Sequence, residues 1–148
     1  MNPTTHVQRQ LAAALDEWAA AYARKDADAF AAAFGDHDDV VLLGTGGDEI
    51  AVGRAAIRDL LQRDFDEAGE LDVKFGELRI STTADVAWVV APDAVIEATL
   101  GGETQSIAVR ITTVLQHTDG GWLIQHAHVS APMANQDVGH SFPAPAPA

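Results

Sequence analysis

The chain has 148 residues, of which 47% are hydrophobic; it carries a formal net charge of −13 and no cysteine. That length suits one domain with a substantial core, and the missing cysteine excludes disulfides, thiolate metal sites and a cysteine nucleophile. The acidic field repels phosphate backbones and anionic lipid heads, so neither nucleic acid nor a membrane is an expected partner.

The first element is a helix over 6–24, because Val7, Leu11, Leu15, Trp18 and Tyr22 recur at helical spacing, with Thr4 or Thr5 as its cap. Lys25-Asp26 breaks the pattern, and a short second helix carries Phe30 and Phe34 on one face. The acids Asp36, Asp38 and Asp39 read as a solvated turn rather than a cation site. Val40–Leu43 is a short strand. Gly44-Thr45-Gly46-Gly47 turns the chain, and Glu49–Val52 pairs back as a hairpin. The glycine spacing fits neither a dinucleotide fingerprint nor a Walker loop. A third helix spans 54–67, with Ile57, Leu60, Leu61 and Phe65 on its inner face. Strands are expected over 71–80, 85–91, 94–100, 105–117 and 122–130, with hairpin turns at Gly101-Gly102 and Asp119-Gly120-Gly121. Residues 1–138 form the single domain, and the Pro/Ala-rich tail 139–148 is expected to be flexible.

Helices first and long antiparallel strands afterwards predict an α+β fold, with the helices covering one face of the sheet. Strands 85–91 and 105–117 are apolar at both parities, so the sheet needs a second cover. A second copy of the chain is the simplest one, and a homodimer through the sheet is the expectation. No basic region followed by an apolar leader is present, and no apolar run reaches membrane-spanning length. A soluble, cytoplasmic protein is therefore expected.

The last strand concentrates the chemistry. Strict alternation puts Trp122, Ile124, His126, His128 and Ser130 on one face. Imidazoles there can act as acid, base or hydrogen-bonding groups in a pocket, or be held as buried structural histidines. A metal needs a third ligand that the spacing does not supply, so neither metal nor other cofactor is expected. Arg110 lies inside an apolar strand and needs a counter-charge there: Glu49, another acid, or an anionic, carboxylate-bearing ligand. A three-residue turn at 119–121 would pair Arg110 with Ser130, beside the histidines. A two-residue turn would pair it with Val129, on the opposite face. Glu49 reads equally as a pocket carboxylate or a solvated hairpin residue. Trp18 and Tyr22 are core residues or aromatic pocket walls.

Trp18 with Lys25-Asp26, Phe34 and Asp39 begins a longer pattern. Gly44 with Glu49, Gly53-Arg54 with Ile57, Ala87-Trp88 and Arg110-Ile-Thr112 continue it. Gly121-Trp122 then runs into His126-x-His128-x-Ser130-x-Pro132. In order and spacing this resembles the SnoaL-like branch of the nuclear transport factor 2-like (cystatin-like cone) superfamily over roughly residues 7–132. The final strand is also similar to that of the calcium/calmodulin-dependent kinase II association domain. The resemblance implies three N-terminal helices packed on the concave face of a strongly bent sheet, with a small-molecule pocket in the cone. Taken with the residue reading, this gives a candidate ligand-binding set of Trp18, Tyr22, Glu49, Arg110, Thr112, His126, His128 and Ser130, with His126, His128 and Glu49 as catalytic candidates. Members include isomerases, cyclases, hydrolases and non-catalytic binding or dimerisation modules, and the fold does not select among them. The chain departs from the steroid isomerase pattern: Trp18 stands where that family has a tyrosine, and Leu43-Gly44 stands near the place of its aspartate.

Overall fold

A computed structural model describes residues 1–146; the end of the expected tail, residues 147 and 148, lies outside the described residues. Helix α1 runs Thr5–Ala23, where Thr4 accepts the amide of Val7 at 3.3 Å. It buries Leu11, Leu15 and Trp18. Lys25 stops it by adopting φ 58°, a left-handed conformation that turns the chain. The Lys25 ammonium then donates to the carbonyls of Ala68 and Gly69, at 2.6 and 3.2 Å. Asp26 caps the short helix α2 (Ala27–Ala32) through the amide of Ala29 at 2.9 Å. Helix α3 spans Arg54–Glu67 and buries Ile57, Leu61 and Phe65.

Seven strands form one sheet in the order β2-β1-β7-β6-β5-β3, with β4 also on β5. They are β1 (Val41–Leu43), β2 (Ile50–Val52), β3 (Leu71–Lys74), β4 (Arg79–Thr83), β5 (Val86–Leu100), β6 (Glu103–Thr118) and β7 (Gly121–Ser130). The hairpin β1–β2 forms as expected, with Val41 opposite Val52. The sheet is mixed rather than purely antiparallel, because β1 runs parallel to β7 with Val41 beside His126 and Leu43 beside His128.

Two expected strands fuse and one divides. Residues 85–91 and 94–100 are a single strand, β5, kinked by a bulge between Ala91 and Ala94. Pro92 sits in that bulge, where its missing N–H costs no ladder bond. The kink splits the neighbouring edge: β3 pairs on one side of it (Lys74 with Val95) and β4 on the other (Arg79 with Val90). Gly76 crosses between the two, so close to Asp93 that an added Cβ would lie 2.8 Å from its carbonyl oxygen. The sheet therefore bends around the helices. Val89, Val109, Ile111, Leu115, Ile124 and Ala127 line its buried inner face against Leu15, Trp18, Phe30, Phe34 and Ile57. No helix among the described residues is long and apolar enough to cross a membrane.

Candidate functional site

The helices and the inner face of the sheet enclose an open cavity of about 220 Å³. Its deep walls are Trp18 and Tyr22 from α1, Phe30 from α2, Leu60 and Leu61 from α3, and Leu42 from β1. The sheet adds Val73, Ile96, Ala98, Ile111 and Val129. Trp18 packs against Phe30 with ring centroids 5.0 Å apart, and Tyr22 stands edge-on to Phe65 at 5.7 Å. Leu100 and Ile107 also line the cavity yet are 38% and 39% exposed, which places them at its rim.

The polar groups lie to one side, on α1, α3 and the β1–β2 turn. Glu49 reaches the wall from that turn, where its carboxylate accepts the amide of Gly46 at 2.9 Å and sits 3.5 Å from the Arg63 guanidinium. Gly44 makes room for it, since a Cβ there would fall 2.1 Å from Glu49 Oε2. Asp64 comes from α3, one turn beyond Leu60 and so on the same flank of the helix. Burial, and then the nearby Glu49 charge, push its carboxyl up from 3.8 to about 6. Burial, Asp64 and Glu49 push the Tyr22 phenol up to about 12, so it stays protonated and can donate. Glu67 completes the acidic side.

Of the residues expected in a pocket, Trp18, Tyr22 and Glu49 line this cavity together, whereas Arg110, Thr112, His126, His128 and Ser130 do not. Arg110 and Thr112 alternate with the buried Val109, Ile111 and Thr113 of β6 and so face outward; for the β7 residues the reason is a second bulge. Leu115 pairs with Ile124 but Val114 pairs with His126, so Gln125 is an extra residue that inverts the alternation of β7. Ile124 and Ala127 are buried at 2% and 0%, and Val129 reaches the cavity. His126 and His128 consequently face the opposite, outer side, and His128 is exposed. The expectation that Trp122, Ile124, His126, His128 and Ser130 share one inward face is corrected accordingly.

Arg110 does pair with Ser130. The turn, however, is the two-residue Asp119-Gly120, closed by Thr118 and Gly121, and the bulge at Gln125 shifts the pairing by one. Arg110 and the histidines thus share the outer face. Glu49 meets Arg63 rather than Arg110. Among the described residues no group of three His, Cys, Asp or Glu side chains is placed to hold a metal ion. Asp64 and Glu67 are the charged site residues that sequence reasoning missed. Their signal was present, two acids at helical spacing after Leu60 on one flank of α3.

The sequence profile of the SnoaL-like domain family matches residues 11–134. The chain belongs to this family. No curated protein matches it at a significant level. Solved structures of nuclear transport factor 2-like proteins share the fold of this SnoaL-like chain. One is a nuclear transport factor 2-like protein from Salmonella enterica serovar Typhimurium, with TM-score 0.80 and 17% identity, covering 95% of this chain and 100% of that one. A protein from Xanthomonas campestris, provisionally assigned as a calcium/calmodulin-dependent protein kinase II association domain, gives 0.75 and 25%, with 85% and 88% covered. A third, from Streptomyces avermitilis, is provisionally assigned as a dehydratase of the same superfamily; it gives 0.78 and 18%, with 88% and 100% covered. These likenesses concern the fold.

Proposed function

We propose that this SnoaL-like domain binds a small, mostly apolar molecule inside the cone, with its polar end at Asp64, Glu49 and Tyr22. The observation that carries the reading is the open, aromatic-walled cavity whose polar groups are gathered on one side. Apolar walls supply the burial and a few placed polar groups fix the orientation. The cavity is tested by filling it. Ala98→Phe puts a ring into the volume, and a neutral bicyclic probe such as 1-naphthylmethanol should bind the parent chain, in calorimetry, but not the variant. Equal binding to both, with the variant folded by circular dichroism, would refute the location.

A second reading, proton-transfer catalysis, is favoured by one further observation. Asp64 has its carboxyl raised to about 6 in a cavity that also holds a protonated phenol. A carboxyl at that value can accept and return protons near neutral pH. This acid–base set replaces a His/Glu pair, because Glu49 and the two histidines lie on different faces. Mass spectrometry of small molecules released from the purified protein, repeated with Asp64→Asn, separates the readings. A catalyst should release substrate from the variant and product from the parent, whereas a binding module releases one compound from both.

The proposal includes a homodimer through the outer face of the sheet. Trp88 and Val114 occupy the row that holds His126, Val41 and Val52, and Val90 occupies the row of His128, Leu43 and Ile50. Ile50 and Val52 are 64% and 54% exposed in the single chain. An apolar sheet face left open in this way supports burial against a second copy.

A further inference from the structure

We infer that the molecule held in the cone is an apolar amine, bound as its ammonium cation; this rests on the pocket reading above and specifies its ligand. Every charged residue on the cavity lining is a carboxylate: Glu49, Asp64 and Glu67. The Lys25 ammonium is committed to the carbonyls of Ala68, a lining residue, and Gly69 at 2.6 and 3.2 Å, which leaves Arg63 as the cation paired with these acids. It bonds Asp48 at 2.8 Å and touches Glu49 only at 3.5 Å, with 42% of its side chain exposed. Asp64 lies 4.0 Å from the Arg63 Nε, too far for a hydrogen bond. Arg63 therefore offsets the charge of Glu49 and Asp64 only in part, and the lining itself keeps three carboxylates and no cation.

Two groups on the wall register that field. Glu49 and Asp64 both disfavour ionisation of Tyr22, and Glu49 disfavours ionisation of Asp64. A cation placed among the three oxygens relieves the repulsion between the two carboxylates, and an anion adds to it. The hydrocarbon part of the cavity points to the same class. Phe30 packs with Trp18 at 5.0 Å and with Tyr22 at 6.2 Å, giving ring surfaces that attract an ammonium carried on an apolar frame. The overall charge of −13 adds long-range attraction for cations. A carboxylate-bearing ligand held by Arg110 is disfavoured by the same geometry, since Arg110 lies on the outer face of the sheet.

Three matched probes test the assignment: 1-naphthylmethylamine, 1-naphthylmethanol and 1-naphthoate, titrated calorimetrically into the full chain at pH 7.5. The amine should bind at least tenfold more tightly than the alcohol, and naphthoate should give no measurable binding. In Asp64→Asn and in Glu49→Gln the amine should weaken about tenfold, and its preference over the alcohol should fall with it. The amine advantage should also shrink between pH 7.5 and pH 5, as Asp64 takes up its proton. An alcohol or naphthoate that binds as tightly as the amine overturns the amine assignment and leaves the pocket standing. An amine preference that survives the double variant Glu49→Gln/Asp64→Asn overturns it as well. If none of the three probes binds, the pocket reading itself falls and takes the amine with it.

Discussion

Replacing Asp64 by asparagine should stabilise the protein at alkaline pH and do progressively less as the pH falls. The Asp64 carboxyl titrates near 3.8 when unfolded and at about 6 in the fold. Because the folded value is raised, the native state favours the protonated form, and stability is lost as the pH rises from 3.8 through 6. Each tenfold change in proton affinity is worth about 1.4 kcal/mol, so full ionisation costs at most about 3 kcal/mol. A third of the side chain is in contact with water (34% exposed), and solvent screening reduces this to roughly 1–2 kcal/mol. Asparagine keeps the shape and cannot ionise. At pH 8 the variant should gain roughly 1–2 kcal/mol in urea unfolding, or about 3–6 °C in Tm for a chain of this size. At pH 5 the gain should fall to about half, because the parent is then protonated when folded but still mostly ionised when unfolded. A gain that is independent of pH, or a loss at pH 8, would show that burial and Glu49 do not set the Asp64 proton affinity. The stability forgone is itself an argument for a role, since a group kept at a cost to the fold marks a working site.

Other substitutions probe the frame around the site. Arg54 donates to the carbonyls of Ala32 and Phe34, the open end of α2; Arg54→Ala should cost about 1–3 kcal/mol in chemical unfolding, as charged bonds to backbone do. The hydroxyl of Thr113 is buried at 2% with no partner among the described residues, so Thr113→Val should raise stability by roughly 1 kcal/mol and the Tm with it. Gly44→Ala would drive a methyl into the Glu49 carboxylate; it should lower the preference for an amine probe over the neutral one about as much as Glu49→Gln does. Ile50→Glu with Val52→Glu places two charges on the exposed outer face; if that face joins two copies, analytical ultracentrifugation should show the parent as a dimer and the variant as a monomer.

Helices α1 and α3 were legible because their apolar spacing is long and regular: α3 spans the 54–67 that its pattern indicates, and α1 differs by one residue at each end. The short second helix was placed less well, since Phe34, expected on it with Phe30, lies past its end and bridges Ile124. The β1–β2 hairpin followed from its glycines. The single β5 strand was not legible, because Pro92-Asp93 reads as a turn when its partner strand is unknown. The β7 bulge was hidden for a similar reason. Alternation identifies a face only while every residue takes one place in the ladder, and nothing within Gln125-His126 announces an extra one. The histidine pattern is real, but its direction depends on the partner strands. Trp18, Tyr22 and Glu49 were placed better because their geometry is local, two residues a turn apart on one helix and one at the end of a tight hairpin. Asp64 could have been found from the same helical spacing that identified Leu60.

The bulge at Gln125 also explains why the cavity is polar on one side only. Regular alternation through β7 would turn His126 and His128 toward the interior, and their partners in β6 would follow the altered register. The buried polar side chain already there is Thr113, which itself has no partner among the described residues, and buried imidazoles without partners are costly. Ile124 faces inward beside Leu115 in either case, and the extra residue instead presents Ala127 and Val129 inward beside Thr113 and Ile111. The sheet wall thereby becomes hydrocarbon from Leu42 across to Ile96. All charge in the cavity then has to come from α3 and the β1–β2 turn, where Asp64, Glu67 and Glu49 reach in beside the Tyr22 phenol. A ligand meeting these two walls has one favourable orientation, hydrocarbon against the strands and polar head toward α3. Substitutions on the strand wall, such as at Ala98 or Ile111, should accordingly change the size of molecule accepted, and substitutions at Asp64 or Glu49 its charge.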